Sequence, residues 1–298
     1  MKESLEEKES VFMSEKILIA CDSTADLNEE LIERFGIKIL PLGVTLGERE
    51  YTDGVDITPD AIYEAYEKTR ELPKTSAISI GAFEDFFQKY TAEGYSVIFF
   101  TISATMSSTY QNATVAASSY EHVHVVNTQN LSTGGGLLVI TAAEMAEVGK
   151  SADEIVARCE ALALCVDASF VIDSLEFLHK GGRCSALAAF GANLLHLKPC
   201  IVVRGGSMGV GRKYRGKFSE VLKKYVVDQL GDVSELELDH VFVTHAGCDP
   251  EIYNACVEAV RTTAPFREVH VTRAGCTISS HCGRNTLGVL FIRKKPLQ

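Results

Sequence analysis

Charge is almost missing from one long stretch of this 298-residue chain: across residues 94–143 the only formal charge is Glu121. Positive charge is short overall, with 29 Lys and Arg against 40 Asp and Glu and a net charge of −11. Neutralising phosphates takes clustered Lys and Arg, so nucleic acid is disfavoured as a partner, and so is an anionic membrane surface. No CxxC pair occurs among the nine cysteines, whose closest spacings are Cys159/Cys165 and Cys276/Cys282. An odd count at such spacings is not a disulfide framework. Cys165, Cys200 and Cys256 sit in apolar runs, where Cys acts as a small hydrophobe, and this predicts reduced thiols in a cytosolic protein. The first sixteen residues carry Glu3, Glu6, Glu7, Glu9 and Glu15 but no apolar core. No secretory signal is expected there, and residues 1–15 read as a flexible lead-in.

What fills the uncharged stretch is hydroxyl. An apolar strand over 96–102 runs into Ser103-Ala-Thr-Met-Ser-Ser-Thr109 and then into a predicted helix over 109–119. Backbone N–H groups and hydroxyls gathered at a helix N-terminus bind an anion without a cation. The stretch is long enough to span a bilayer, but its Ser, Thr, Asn, Gln and Gly content argues against stable insertion.

Short apolar runs alternate with helical patterns, which predicts an α/β architecture with mostly parallel strands. Early strands are expected at 16–21, 38–45, 96–102 and 122–127, with helices at 28–35, 59–71, 82–92 and 109–119. Gly134, Gly135 and Gly136 open an apolar helix ending near Gly149, and Ser151 to Glu154 reads as a capping box. Later strands are expected at 169–173, 199–204, 240–244, 268–273 and 287–292, with helices near 217–230 and 250–263. A boundary near residue 165 divides an N-terminal α/β domain (16–165) from a C-terminal α/β domain (166–298).

Four loops share a hydroxyl- or glycine-rich character: 73–79, 103–109, 179–185 and 277–284. Ligands of α/β proteins sit in such loops at strand ends. Ser280 and His281 are adjacent in sequence, but adjacency is not hydrogen-bond geometry. Gly205-Gly-Ser207-Met-Gly209 matches GxSxG, yet it lies between two apolar runs and reads as a hairpin, not a strand-to-helix turn. Asp22-Ser-Thr-Ala-Asp26, Asp53 and Asp56 suggest a metal or phosphatase site less well than they suggest caps and turns. The glycines at 134–136 come without GxGxxG or a Walker lysine, so close packing is favoured over a nucleotide cofactor. His122 and His124 share a strand face without a third ligand at zinc spacing, so no metal is expected. His281, among hydroxyls and glycines, is the histidine best placed for function.

Taken together these loops resemble the DegV family of bacterial fatty-acid-binding proteins, over about residues 16–293. The resemblance is carried by Asp22-Ser-Thr-Ala-Asp26-Leu27, Pro41-Leu-Gly-Val44, Tyr51-Thr-Asp-Gly-Val-Asp-Ile57, Pro73-Lys-Thr-Ser76 and residues 102–113. It continues in Leu175-Glu-Phe-Leu-His-Lys-Gly-Gly-Arg183, Leu197-Lys-Pro199 and His281-Cys-Gly283. It implies two α/β domains, the first with a mostly parallel sheet, enclosing one long-chain fatty acid such as palmitate between them. It implies a non-enzymatic, cytoplasmic protein without catalytic residues, metal or cofactor. The resemblance further implies that the ligand is presented to a separate fatty acid kinase, which makes an acyl phosphate for phospholipid synthesis. The family's carboxylate contacts fall on Thr75, Ser107 and His281, with Ser76, Ser108, Arg183 and Arg284 as secondary candidates. The chain departs from the family pattern at Met106, at Ser108, where Gly is usual, and at Arg284-Asn285, where Pro-Gly is usual. Two alternatives remain: a lipid hydrolase or acyltransferase using a serine and His281, and a lipid-dependent regulator acting through Arg183 and Arg284.

Overall fold

Apolar runs become strands and capped amphipathic runs become helices in the computed structural model, which describes residues 15–184 and 197–297. Nearly all of the predicted lead-in, and Ser185 at the end of the 179–185 loop, lie outside the described residues. In chain order the elements of the first half are β1 (Ile17–Asp22), α1 (Glu29–Phe35), β2 (Lys38–Leu40), β3 (Gly43–Leu46), β4 (Arg49–Thr52), α2 (Pro59–Thr69), β5 (Lys74–Ser76), α3 (Ile80–Ala92), β6 (Ser96–Thr101), α4 (Thr109–Ala117), β7 (Val123–Asn127), α5 (Thr133–Glu147) and α6 (Ala152–Ala163). The second half has β8 (Val166–Ile172), α7 (Glu176–Gly181), β9 (Leu197–Arg204), β10 (Ser207–Arg215), α8 (Phe218–Leu230), β11 (Leu236–Ala246), α9 (Pro250–Thr263), β12 (Glu268–Arg273), α10 (Cys276–Cys282) and β13 (Thr286–Arg293).

Helix starts follow local chemistry. The Asn28 side chain accepts from Leu31 N, and Thr58 accepts from Ala61 N with Pro59 in the first turn. Ser151 and Glu154 form the reciprocal capping box expected from their spacing.

The first sheet runs β2-β1-β6-β7, with every pairing parallel. Six strands form the second, in the order β10-β9-β8-β13-β11-β12, where among the described residues only β11 and β12 pair in parallel. The expectation of mostly parallel strands therefore holds for the first sheet and fails for the second. A small antiparallel sheet, β4-β3-β5, accompanies them.

Helix α5 packs into the largest core, which takes residues from both large sheets, among them Phe100, Leu138, Ile140, Phe170 and Phe242. Apolar residues all round α5 suit a helix covered on all sides. A Cβ at Gly136 would lie 2.9 Å from both Ala25 O and Leu27 Cδ2, so the glycines at 134–136 serve close packing. All nine cysteines are buried thiols.

Two expected elements differ in the structure. The single strand at 38–45 is broken: Pro41 cannot donate to a ladder, and β2 and β3 on either side of it belong to different sheets. Residues 277–284, read as a loop, lie mostly in the short helix α10, whose N-terminus is held by carboxylates more than two hundred residues away.

Candidate functional site

Three buried carboxylates build the frame of the site. Asp22, at the end of β1, accepts from Ile102 N at 2.7 Å and so fixes where β6 gives way to the hydroxyl loop. Burial pushes the Asp22 carboxyl up to about 6, against its hydrogen bonds from Thr24 and Ile102. Asp26 accepts from Gly275 N at 2.8 Å and from the Ser132 hydroxyl; burial also raises this carboxyl well above the usual range. Asp53 accepts from Cys276 N at 2.8 Å, Thr277 N at 3.0 Å and Ser23 Oγ at 2.9 Å. The Asp motifs thus cap and aim α10, which carries His281.

Hydroxyls in the 103–109 loop divide by partner. Ser103 donates to Gly206 O at 2.7 Å, as does Thr105 at 2.5 Å, so both tie the loop to the β9–β10 hairpin. Ser107, whose Oγ accepts from Thr109 N at 3.2 Å and lies 2.9 Å from Thr109 Oγ1, lines a cavity of about 230 Å³ together with Ser108. Thr75, Ser76, Arg183 and His281 line it too, as do apolar residues including Ile102, Leu131, Phe170 and Leu290. Thr75 reaches it because β5 pairs with β3 in the register Val44↔Thr75.

His281 Nε2 lies 2.9 Å from Thr75 Oγ1, joining residues 206 positions apart. Burial, followed by the Arg183 charge, pushes the His281 imidazole down to about 4. Because its folded value lies below the unfolded one near 6.5, its contribution to stability is present above pH 6.5 and is lost as pH falls towards 4. The His281 ring nitrogens should therefore show little titration in NMR spectra between pH 8 and pH 5; a midpoint near 6.5 would contradict this. A Cβ at Gly181 would stand 2.6 Å from His281 Nδ1, so Gly181 makes room for the ring.

The two candidate arginines separate. Arg183 lines the cavity while donating to Gly181 O at 2.8 Å. Arg284 is not among the cavity-lining residues; its guanidinium lies over the Tyr63 ring at 5.1 Å and 3.9 Å from Asp60 Oδ1. Next to it, Asn285 takes the left-handed backbone conformation (φ 58°) that glycine adopts without strain.

Ser280 donates to Cys276 O at 2.7 Å within its own helix, and Ser207 sits in the hairpin 3.3 Å from Thr105 Oγ1. The hydroxyl that His281 meets among the described residues is that of Thr75, not of either serine. Thr277 has no individual signal in the sequence, yet it lines the cavity and its buried Oγ1 has no partner among the described residues. It stands one turn before His281 on α10, a relation that a helical reading of 277–284 would have exposed.

A family model described as "Uncharacterised protein, DegV family" matches residues 16–294. The chain belongs to the DegV family. A DegV domain-containing protein of Clostridium acetobutylicum is 33% identical over 282 residues, which cover 94% of this chain and 99% of that protein. Among solved structures, a DegV family protein from Thermus thermophilus, described by its fatty acid binding, superposes with a TM-score of 0.84 at 30% identity, covering 93% of this chain and 99% of the other. A stearic-acid-binding protein from Eubacterium ventriosum gives a TM-score of 0.83 at 27% identity, covering 93% and 98%. No helix among the described residues of this DegV chain is long and apolar enough to cross a membrane.

Proposed function

We propose that this DegV protein is a non-enzymatic carrier that encloses one long-chain fatty acid between its 16–165 and 166–298 halves. One observation carries the reading: a cavity of mostly apolar lining into which Thr75 and His281, hydrogen-bonded to each other, bring polar atoms beside Ser107 and Thr277. Its relatives among the solved structures, described as binding fatty acids, support it.

An ionised carboxylate only accepts hydrogen bonds, so the hydroxyls beside it must donate. Thr75 then donates to the ligand and accepts from His281 Nε2–H, which assigns the proton of the neutral ring to Nε2. Ser107 supplies a second hydroxyl donor, and Thr277 is placed to add a third. Ser76 and Ser108 lie beside them. Burying a carboxylate is costly unless several donors satisfy it, and this constellation provides them. At ~0.8 kcal/mol per buried CH₂, a sixteen-carbon tail contributes roughly 11 kcal/mol before ordering costs. Tail burial supplies affinity, and the Thr75, Ser107 and Thr277 hydroxyls set orientation.

Presentation to a separate fatty acid kinase in the cytoplasm, with acyl phosphate passing to phospholipid synthesis, completes the proposal. Arg183 at the cavity and Arg284 outside it are cations available to such a partner. Protein purified from its host should release a fatty acid detected by mass spectrometry at one molecule per chain. Absence of any bound lipid, together with turnover of an activated ester by the protein alone, would replace the carrier reading with a hydrolase.

A further inference from the structure

On β11, before the cavity-lining Thr244, two imidazoles meet. The parallel pairing of β11 with β12 sets His240 opposite Glu268 and Phe242 opposite His270, so all four side chains share one sheet face. His240 Nδ1 lies 3.0 Å from His270 Nε2, and His270 Nε2 lies 3.8 Å from Glu268 Oε2. One donor atom from each of the three falls within 4.8 Å of the others.

His240 Nε2 lies between an acceptor, Glu144 Oε1 at 3.1 Å, and a donor, Arg267 Nη2 at 3.0 Å; in the tautomer that gives its hydrogen to Glu144, Nδ1 presents a lone pair. Arg267, 3.0 Å from the same ring nitrogen, donates to the same Glu144 oxygen at 2.9 Å. A histidine that gives one N–H to a carboxylate and turns its other nitrogen to a shared point has the arrangement of a metal ligand with its outer partner. Two nitrogens bound to one zinc-type ion are held about 3.0–3.4 Å apart, given bonds of roughly 2.0–2.1 Å. Glu268 also accepts from Arg34, but each carboxylate oxygen has a second lone pair to offer.

Glu144 and Glu268 face the pair, each also bound to an arginine, Arg267 and Arg34 respectively. Two imidazolium rings at this separation would repel.

We propose that His240, His270 and Glu268 form a binding site for one zinc-type divalent cation, with Glu144 orienting His240 from outside the coordination shell. Imidazole and carboxylate donors suit zinc and its neighbours in the first transition row. The site is separate from the fatty-acid cavity and does not depend on what that cavity binds.

The test is titration of the metal-free full chain with Zn²⁺ by calorimetry, repeated with Co²⁺ followed by visible absorption. The expected result is one equivalent bound at micromolar affinity or tighter, with a cobalt d–d band and no thiolate charge-transfer band. His270→Gln and Glu268→Gln should each weaken binding by about 10-fold or more while leaving circular dichroism and fatty-acid retention unchanged. Absence of stoichiometric binding by the wild type, a thiolate band, or unchanged affinity in His270→Gln would overturn the proposal.

Discussion

Asp53→Ala is expected to lower the stability of the fold by about 3–5 kcal/mol. The Asp53 carboxylate is buried and accepts from two consecutive N–H groups, Cys276 and Thr277, and from Ser23 Oγ. Truncation leaves two buried donors without a partner, each costing roughly 1–3 kcal/mol, and removes the cap of α10. At roughly 2–4 °C per kcal/mol for a chain of this order of size, the melting temperature should fall by about 10 °C. Asp53→Asn should lie between, because one amide oxygen replaces two carboxylate oxygens and the NH₂ meets an N–H. Thermal unfolding by circular dichroism checks both, and a loss under about 1 kcal/mol for Asp53→Ala would show that α10 is held by other contacts.

The second large effect is on the ligand. Thr75→Val should reduce fatty-acid affinity by about 10–100-fold, the loss expected for a hydrogen bond to a charged group, and His281→Ala, which leaves the Thr75 hydroxyl without the donor that orients it, should reduce it as well. The double variant should lose less than the sum of the two, since the residues are joined at 2.9 Å and act as a unit. Gly181→Val should give a similar loss by displacing the His281 ring without removing a polar group. Affinities from fluorescent fatty-acid titration decide the matter, and additive losses would mean that Thr75 and His281 contact the ligand independently.

Local signals were legible wherever neighbours in sequence decide the outcome. The Thr58 and Ser151 caps and the apolar β6 strand lie within a few residues of the groups that make them. The same holds for the glycine hairpin at 205–206, which joins β9 to β10. Asp26, whose spacing to Glu29 suggests a helix cap, instead accepts from Gly275 N, while Asn28 caps α1. Thr75, Ser107 and His281 were legible only as hydroxyl- and glycine-rich loops and through their resemblance to a family. Helix α10 was not, because its seven residues favour no helix until Asp26 and Asp53 meet its first N–H groups. The His240–His270 pair was hidden for a similar reason. Its members are thirty residues apart, and only the β11–β12 register sets them side by side.

By itself the sequence determined that residues 94–143 would be two strands, a hydroxyl loop and helices with almost no charge, since composition and periodicity act over short range. Tertiary structure decided which hydroxyls face the cavity. Ser103 and Thr105 are drawn to the Gly206 carbonyl, while Ser107 and Ser108 line the cavity. Every hydroxyl in that loop has the same chemistry, and only the fold determines which of them meets a carbonyl first.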